Sequence, residues 1–309
     1  MIRAIPILLA VLLLTLLLPT GSAQTTAPAV ATSTKPTVWL IGDSTVNNNA
    51  NGGLGWGAPI AKLFDPEKAT VMNRARGGRS ARSFESEGLW KAVYDQVKPG
   101  DFVLIQFGHN DGPGTVQQIA SSTNGRPDLA GTGDETTTGR ASIASKGEET
   151  VHTYGWYLKK FVREAKEKGA HPIMLTMVPK NFWVEGKIRR PEQNGLVKWA
   201  KEVAAAENIP CIDLNTISAK RLEKETPEEV RTKYFSPPND GTHTNPGGAQ
   251  LNAESVVMGL RALKDLPITD WLSEAGKALS PADAADVTQP ASPGAGAPAP
   301  AGAAAGAPK

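Results

Sequence analysis

Thr37-Val38-Trp39-Leu40-Ile41-Gly42-Asp43-Ser44-Thr45 runs a short apolar stretch straight into a polar turn. Such a run, continuous rather than alternating, fits a strand buried on both faces of a parallel sheet. Four more stretches read the same way: Thr70 to Met72, Phe102 to Phe107, Pro172 to Met177 and Pro210 to Leu214. Each is separated from the next by enough chain for a crossover helix. The alternation predicts an α/β domain with a five-stranded parallel sheet and helices on both faces.

The clearest helix is Val151 to Lys168, where Val151, Tyr154, Leu158, Phe161, Val162 and Ala165 follow helical spacing and Gly169 follows as a C′ glycine. Trp90 to Val97, Pro191 to Ala206 and Pro246 to Leu263 read similarly, the last opened by Asn245 as N-cap and Pro246 as first helical residue. Gly112 to Glu149 is rich in Gly, Thr and Ser and has no sustained apolar period. A connection of that length is a functional loop or disordered.

The chain has 309 residues, and its ends set the limits of the domain. Arg3, the apolar run Leu8 to Leu18 and the small residues Gly21-Ser22-Ala23 read as an export signal over residues 1–23. The apolar core is shorter than the roughly 20 residues of a bilayer span. A cleaved signal leaves no membrane partner and a secreted or periplasmic location; an uncleaved anchor is the alternative. Residues 24–35 read as a linker and 36–279 as the folded domain. Residues 280–309, dominated by Ala, Pro and Gly, are expected to stay disordered.

A net charge of +2 argues against a nucleic-acid surface, which requires a basic excess. The single cysteine, Cys211, lies in an apolar stretch and reads as a buried inert thiol, so no disulfide holds the domain. No P-loop, H-E-x-x-H or Gly-x-Ser-x-Gly motif is present. Gly53-Leu54-Gly55-Trp56-Gly57-Ala58 superficially fits a dinucleotide fingerprint, but the strand it should follow ends at Ile41. Neither a metal nor a cofactor is called for.

Four short motifs carry chemistry: Gly42-Asp43-Ser44-Thr45, Gly77-Gly78, Gly108-His109-Asn110-Asp111 and Asp240-Gly241-Thr242-His243. A serine hydroxyl needs a neighbouring base, for which His243 is the candidate, and Asp240 three residues earlier is placed to fix its tautomer. The N–H groups of Ser44 and Gly78 and the Asn110 amide would face the oxyanion of an attacked ester. Singly, Ser44 reads as a helix cap, His243 as a surface histidine, Asp240 as a turn residue and Gly78 as a turn glycine. Jointly they form an acyl-transfer apparatus. Ser44 follows the first predicted strand directly, the Gly77-Gly78 turn trails the second and Asn110 follows the third, and sites in open parallel sheets form at those carboxyl ends. Because it starts right after Asn110, the 112–149 stretch is expected to wall or cover the site.

Gly42-Asp43-Ser44, Gly78, Asn110 and Asp240 with His243 resemble the four signature blocks of the SGNH, or GDSL, hydrolases. The strings Asn73 to Ser83, Phe107 to Asp111, Asp240 to Thr244, Gly55-Trp56-Gly57 and Asn124-Gly125-Arg126 resemble, more narrowly, the rhamnogalacturonan acetylesterase family. The resemblance covers Thr37 to Leu263. It implies a three-layer flavodoxin-like fold with five parallel strands, and an esterase that removes acetyl groups from the galacturonate residues of pectic rhamnogalacturonan. It implies Ser44 as nucleophile, His243 as base, Asp240 as acid, and Ser44, Gly78 and Asn110 as oxyanion donors. Fungal members use disulfides that this chain cannot form, so a bacterial exported enzyme is the easier fit.

Acetylated plant cell-wall polysaccharide is the expected partner, and a monomer the expected state. Arg79 and Arg82, with Arg76, are candidates to pair with galacturonate carboxylates, and Trp56 and Trp183 to stack on sugar rings; surface charge, ion pairing and core packing are the plainer readings. His109 and Asp111 read as structural hydrogen-bond partners. Competing readings are an SGNH esterase for acetylated xylan or small esters, glycoside hydrolysis by carboxylates among Asp111, Asp128, Asp134 and Glu135, and a non-catalytic carbohydrate-binding protein.

Overall fold

The computed structural model describes residues 35–141, 147–190, 195–236 and 240–290. Its strands are β1 (Thr37–Gly42), β2 (Thr70–Asn73), β3 (Phe102–Gln106), β4 (Thr136–Arg140), β5 (Glu148–His152), β6 (His171–Leu175), β7 (Trp183–Val184), β8 (Lys187–Ile188), β9 (Cys211–Ile212) and β10 (Val287–Thr288). Its α-helices are α1 (Ala81–Ser86), α2 (Leu89–Tyr94), α3 (Val116–Ser121), α4 (Tyr154–Glu167), α5 (Leu196–Ala206), α6 (Leu214–Leu222), α7 (Pro227–Tyr234), α8 (Pro246–Ala262) and α9 (Glu274–Ala278).

The five expected strands form the sheet, in the order β9-β6-β3-β1-β2 and all parallel. A sixth strand, β10, pairs antiparallel with β9. It corrects the five-strand expectation and lies in a stretch read as disordered tail. Two residues in an Ala/Pro-rich segment carry no strand period. What holds them is distant: Asp213 N–H donates to Asp286 O at 2.8 Å, and Lys220 pairs with Asp283 at 2.7 Å and Asp286 at 2.8 Å. Residues 291–309 of that tail, and residues 1–34 of the signal and linker, lie outside the described residues.

Alternate residues of the central strands feed two cores. Trp39, Ile41, Val103, Ile105 and Met174 face α1, α2, α4 and α5 through Phe84, Trp90, Leu158, Phe161 and Val203. Val38, Leu40, Phe102, Leu104 and Ile173 face α6 and α8 through Leu214, Ile217, Val256 and Leu260. This two-residue period on fully buried strands makes the three layers. β2, read as buried, is instead exposed to half-buried, because an edge strand has one neighbour and partial cover. Cys211 is buried, and loss of solvation pushes its thiol up to about 12.

Helix starts differ from the sequence reading where a cap intervenes. α4 begins at Tyr154 because Thr153 Oγ1 accepts from Trp156 N–H, leaving Val151 in β5. α5 begins at Leu196, and the expected start at Pro191 lies outside the described residues. α8 begins as read, with Asn245 Oδ1 accepting from Gly247 and Gly248.

The described part of the 112–149 stretch is built rather than structureless. It contains α3, capped by Thr115, and the hairpin of β4 and β5, whose strands pair antiparallel. Among its described residues Ile119 is the one buried large apolar side chain, with Val151 just past its end, which is too little to show as a period. Among the described residues, no helix is long and apolar enough to cross a membrane.

Candidate active site

The strand order places β1 between β2 and β3, so the chain moves from β1 to β2 on one side and then crosses back to β3 on the other. That reversal opens a crevice at the strands' carboxyl ends. Ser44 follows β1, and Asn110 follows β3, on either side of it. The two strand ends touch closely at Gly42, where a β-carbon would lie 2.3 Å from Gln106 O and 2.6 Å from Val46 Cγ2, so only glycine fits.

Two residues not singled out from the sequence hold the serine turn. Asp43, wholly buried, accepts from Thr45 N–H at 2.8 Å and Thr45 Oγ1 at 2.7 Å, and its other oxygen accepts from His109 N–H at 3.2 Å. Gln106 donates through Nε2 to Thr45 Oγ1 at 2.7 Å. Asp43 thereby ties the turn after β1 to the turn after β3. Asp43 sits inside a recognised motif; Gln106 carries no sequence signal.

Ser44 Oγ lies 2.7 Å from His243 Nε2, and His243 Nδ1 lies 2.6 Å from Asp240 Oδ2. The second Asp240 oxygen accepts from the N–H groups of Thr242 at 2.8 Å and His243 at 2.9 Å. Partial burial opposes the charged carboxylate, but these bonds outweigh it and hold the Asp240 carboxyl below the usual range. The loop is fixed at both ends: Ser236 N–H donates to His243 O, Leu54 N–H donates to Thr244 O, and the capped start of α8 follows.

The oxyanion side is assembled from three elements. The β-carbon position of Gly77 is 3.6 Å from Ser44 Cβ, which sets the 77–79 turn beside the serine. Asn110 Nδ2 donates to Arg79 O at 3.2 Å, using one amide hydrogen and leaving the other. Among the described residues, the backbone N–H groups of Ser44 and Gly78 donate to no protein acceptor. Gly78 has φ +77°, and a β-carbon there would meet Arg126 Nη2 at 2.9 Å. Arg126, given no role from the sequence, thus stands over this turn, which places part of the 112–149 stretch at the site.

The candidate sugar contacts divide sharply. Trp56 is wholly buried and donates through Nε1 to Gln106 Oε1 at 2.7 Å, so it packs the core and offers no ring to a ligand. Arg82 is also wholly buried: it pairs with Glu149 at 2.6 Å and donates to Pro127 O at 2.5 Å and to Arg140 O. It fastens α1 to the 112–149 stretch. Arg79 is engaged by Glu87 at 2.9 Å and by Gly77 O at 3.0 Å, and braces the turn it belongs to. Arg76 is exposed and lines a separate cavity with Asn73 and Gln96. Only Trp183 adjoins the triad, in a cavity shared with Asp240.

Asp111, next in the chain to Asn110, and Asp128 are both buried. Asp111 Oδ1 accepts from Ala81 N–H at 2.7 Å. Burial raises both carboxyls: Asp111 to about 7, with the nearby Asp43 charge adding, and Asp128 well above the ordinary value, with the Asp111 charge adding. A buried pair of this kind cannot flank a sugar bond from opposite sides, so it does not fit glycoside hydrolysis. His109 gives its backbone N–H to Asp43 while burial disfavours its charged ring, whose nitrogens find no partner among the described residues.

Residues 40–251 match the family model of the GDSL-like lipase/acylhydrolase family. A rhamnogalacturonan acetylesterase of Emericella nidulans is 34% identical over 257 residues, 82% of this chain and 98% of the relative. A probable rhamnogalacturonan acetylesterase of Bacillus subtilis is 32% identical, covering 75% of this chain and 95% of the relative. The crystal structure of the Bacillus subtilis protein YxiM superposes with a TM-score of 0.57 at 25% identity, over 74% of this chain and 56% of that one. With its fold and four motifs in place, the chain belongs to the GDSL-like lipase/acylhydrolase family, on its rhamnogalacturonan acetylesterase branch, and is a carboxylic ester hydrolase.

Proposed function

We propose that this esterase removes acetyl groups from rhamnogalacturonan, through an acetyl intermediate on Ser44. The observation that carries the chemistry is the unbroken bond chain Asp240–His243–Ser44, ending beside the backbone N–H groups of Ser44 and Gly78, which have no protein acceptor among the described residues. Ser44 Oγ attacks the acetyl carbonyl carbon as His243 Nε2 takes its proton. The carbonyl oxygen becomes an anion facing the N–H groups of Ser44 and Gly78 and the Asn110 amide. Collapse breaks the bond to the sugar oxygen, which leaves with the proton from His243. Water then adds to the acetyl-serine under the same base, releasing acetate and restoring the hydroxyl. Asp240 keeps the imidazole oriented throughout.

The polysaccharide is supported by the names of the two relatives, each matched over nearly its whole length. Export to reach it is proposed from the N-terminal sequence, together with a monomeric state. Acetate release should be compared on acetylated rhamnogalacturonan and acetylated xylan. Faster release from rhamnogalacturonan is expected; release from xylan or small esters with none from rhamnogalacturonan would overturn the specificity while leaving the esterase.

A further inference from the structure

We propose that the cavity between the β7–β8 hairpin and α7 is a subsite for an acidic sugar, a hexuronate ring stacked on Trp183 with its carboxylate held by Arg231. This rests on the polysaccharide reading above and adds a residue, Arg231, and a place for the sugar next to the one being deacetylated. The cavity is about 250 Å³, room for a single ring, and is lined by Asn181, Trp183, Pro227, Arg231, Asp240 and Gly241.

Its walls are held in place. Trp183 Nε1 donates to Asn181 Oδ1 at 2.8 Å, fixing the indole, and Trp183 pairs across the hairpin with Ile188, which is buried in a small core with Leu222 and Val230. Asn181 N–H in turn donates to Gly241 O at 2.7 Å, so the aromatic platform is bonded to the turn that carries Asp240. Pro227 and Arg231 lie four residues apart on α7 and so share a face.

Charge selects the occupant. Arg79, Arg82, Arg190 and Arg221 are each paired with a carboxylate. Arg231 is exposed and, among the described residues, paired with none. A planar guanidinium in that state matches a carboxylate in a two-pronged geometry. Asp240 shares the cavity, but its oxygens are engaged by His243 Nδ1 and two backbone N–H groups. An indole beside a free guanidinium suits a ring with an apolar face and one negative charge.

The test compares kcat/KM for acetylated rhamnogalacturonan with that for 4-nitrophenyl acetate, in wild type, Arg231→Gln and Trp183→Ala. A carboxyl-reduced form of the same polymer serves as the neutral substrate. For Arg231→Gln the polymer-to-small-ester ratio should fall about tenfold or more, carried by KM, and should not fall on the reduced polymer. For Trp183→Ala it should fall on both polymers, since stacking does not read charge. An unchanged ratio in Arg231→Gln, or an equal fall on the reduced polymer, overturns the acidic-sugar subsite alone. Wild-type enzyme that hydrolyses 4-nitrophenyl acetate but releases no acetate from rhamnogalacturonan overturns the polysaccharide reading and the subsite with it.

Discussion

His243 Nε2 stands 2.7 Å from Ser44 Oγ across 199 positions of chain. A contact of this length between a half-buried hydroxyl and an imidazole already oriented by a carboxylate is the geometry in which proton removal can accompany attack. Ser44→Ala is expected to abolish acetate release while leaving thermal unfolding unchanged, because Asp43 and Thr45, not the serine side chain, hold the turn. Turnover within tenfold of wild type would remove Ser44 as nucleophile.

Asp240 to Asn keeps the shape but changes the donor pattern facing His243 Nδ1, which favours the wrong tautomer. A loss of about 10⁴-fold in kcat is expected, by analogy with the same exchange in other triads. The Asp240 carboxyl is held below the ordinary range, so it stays ionised on mild acidification. An Asp240→Asn variant with wild-type kcat would remove Asp240 as the group that orients the imidazole.

Gly78 to Ala should be costly to activity. The residue sits at φ +77°, where a side chain is strained, and the new carbon would also displace the Arg126 guanidinium, 2.9 Å away. Moving the turn withdraws one oxyanion donor, for which a fall of about 100-fold or more in kcat is expected with a smaller change in KM. Steady-state kinetics on 4-nitrophenyl acetate will show it; an unaltered kcat would mean that this N–H does not face the oxyanion.

The Asp111–Asp128 pair predicts a pH dependence of stability. Both carboxyls are raised in the folded protein, mainly by burial, so the folded state keeps protons that the unfolded chain has released. Protons bound in the native state exceed those in the unfolded state from about pH 4 upward, hence stability falls as pH rises through the Asp111 value of about 7. Asp128→Asn should flatten this slope and raise the unfolding temperature at pH 8 relative to wild type. Equal slopes for the two proteins between pH 5 and pH 8 would refute the pair as its source.

Local pattern determined a good deal by itself. The apolar runs at Thr37, Phe102 and Pro172 became central strands, since burial on both faces leaves a mark within five or six consecutive residues. Asn245 and Pro246 located the start of α8 for the same reason: a cap is read by neighbours two or three residues away. Ser44, Gly78, Asn110, Asp240 and His243 were all visible as candidates because each sits in a turn with its own residue signature. Tertiary structure alone decided which charges and rings remain free. Arg82 is spent on Glu149, 67 positions away, and Trp56 on Gln106, 50 positions away, whereas Arg126 and Arg231 stand beside the site. The edge strand β10 likewise depends on Asp213 and Lys220. Side-chain availability is a matter of which distant partners the fold brings within a few ångströms, and no short stretch of chain contains that information.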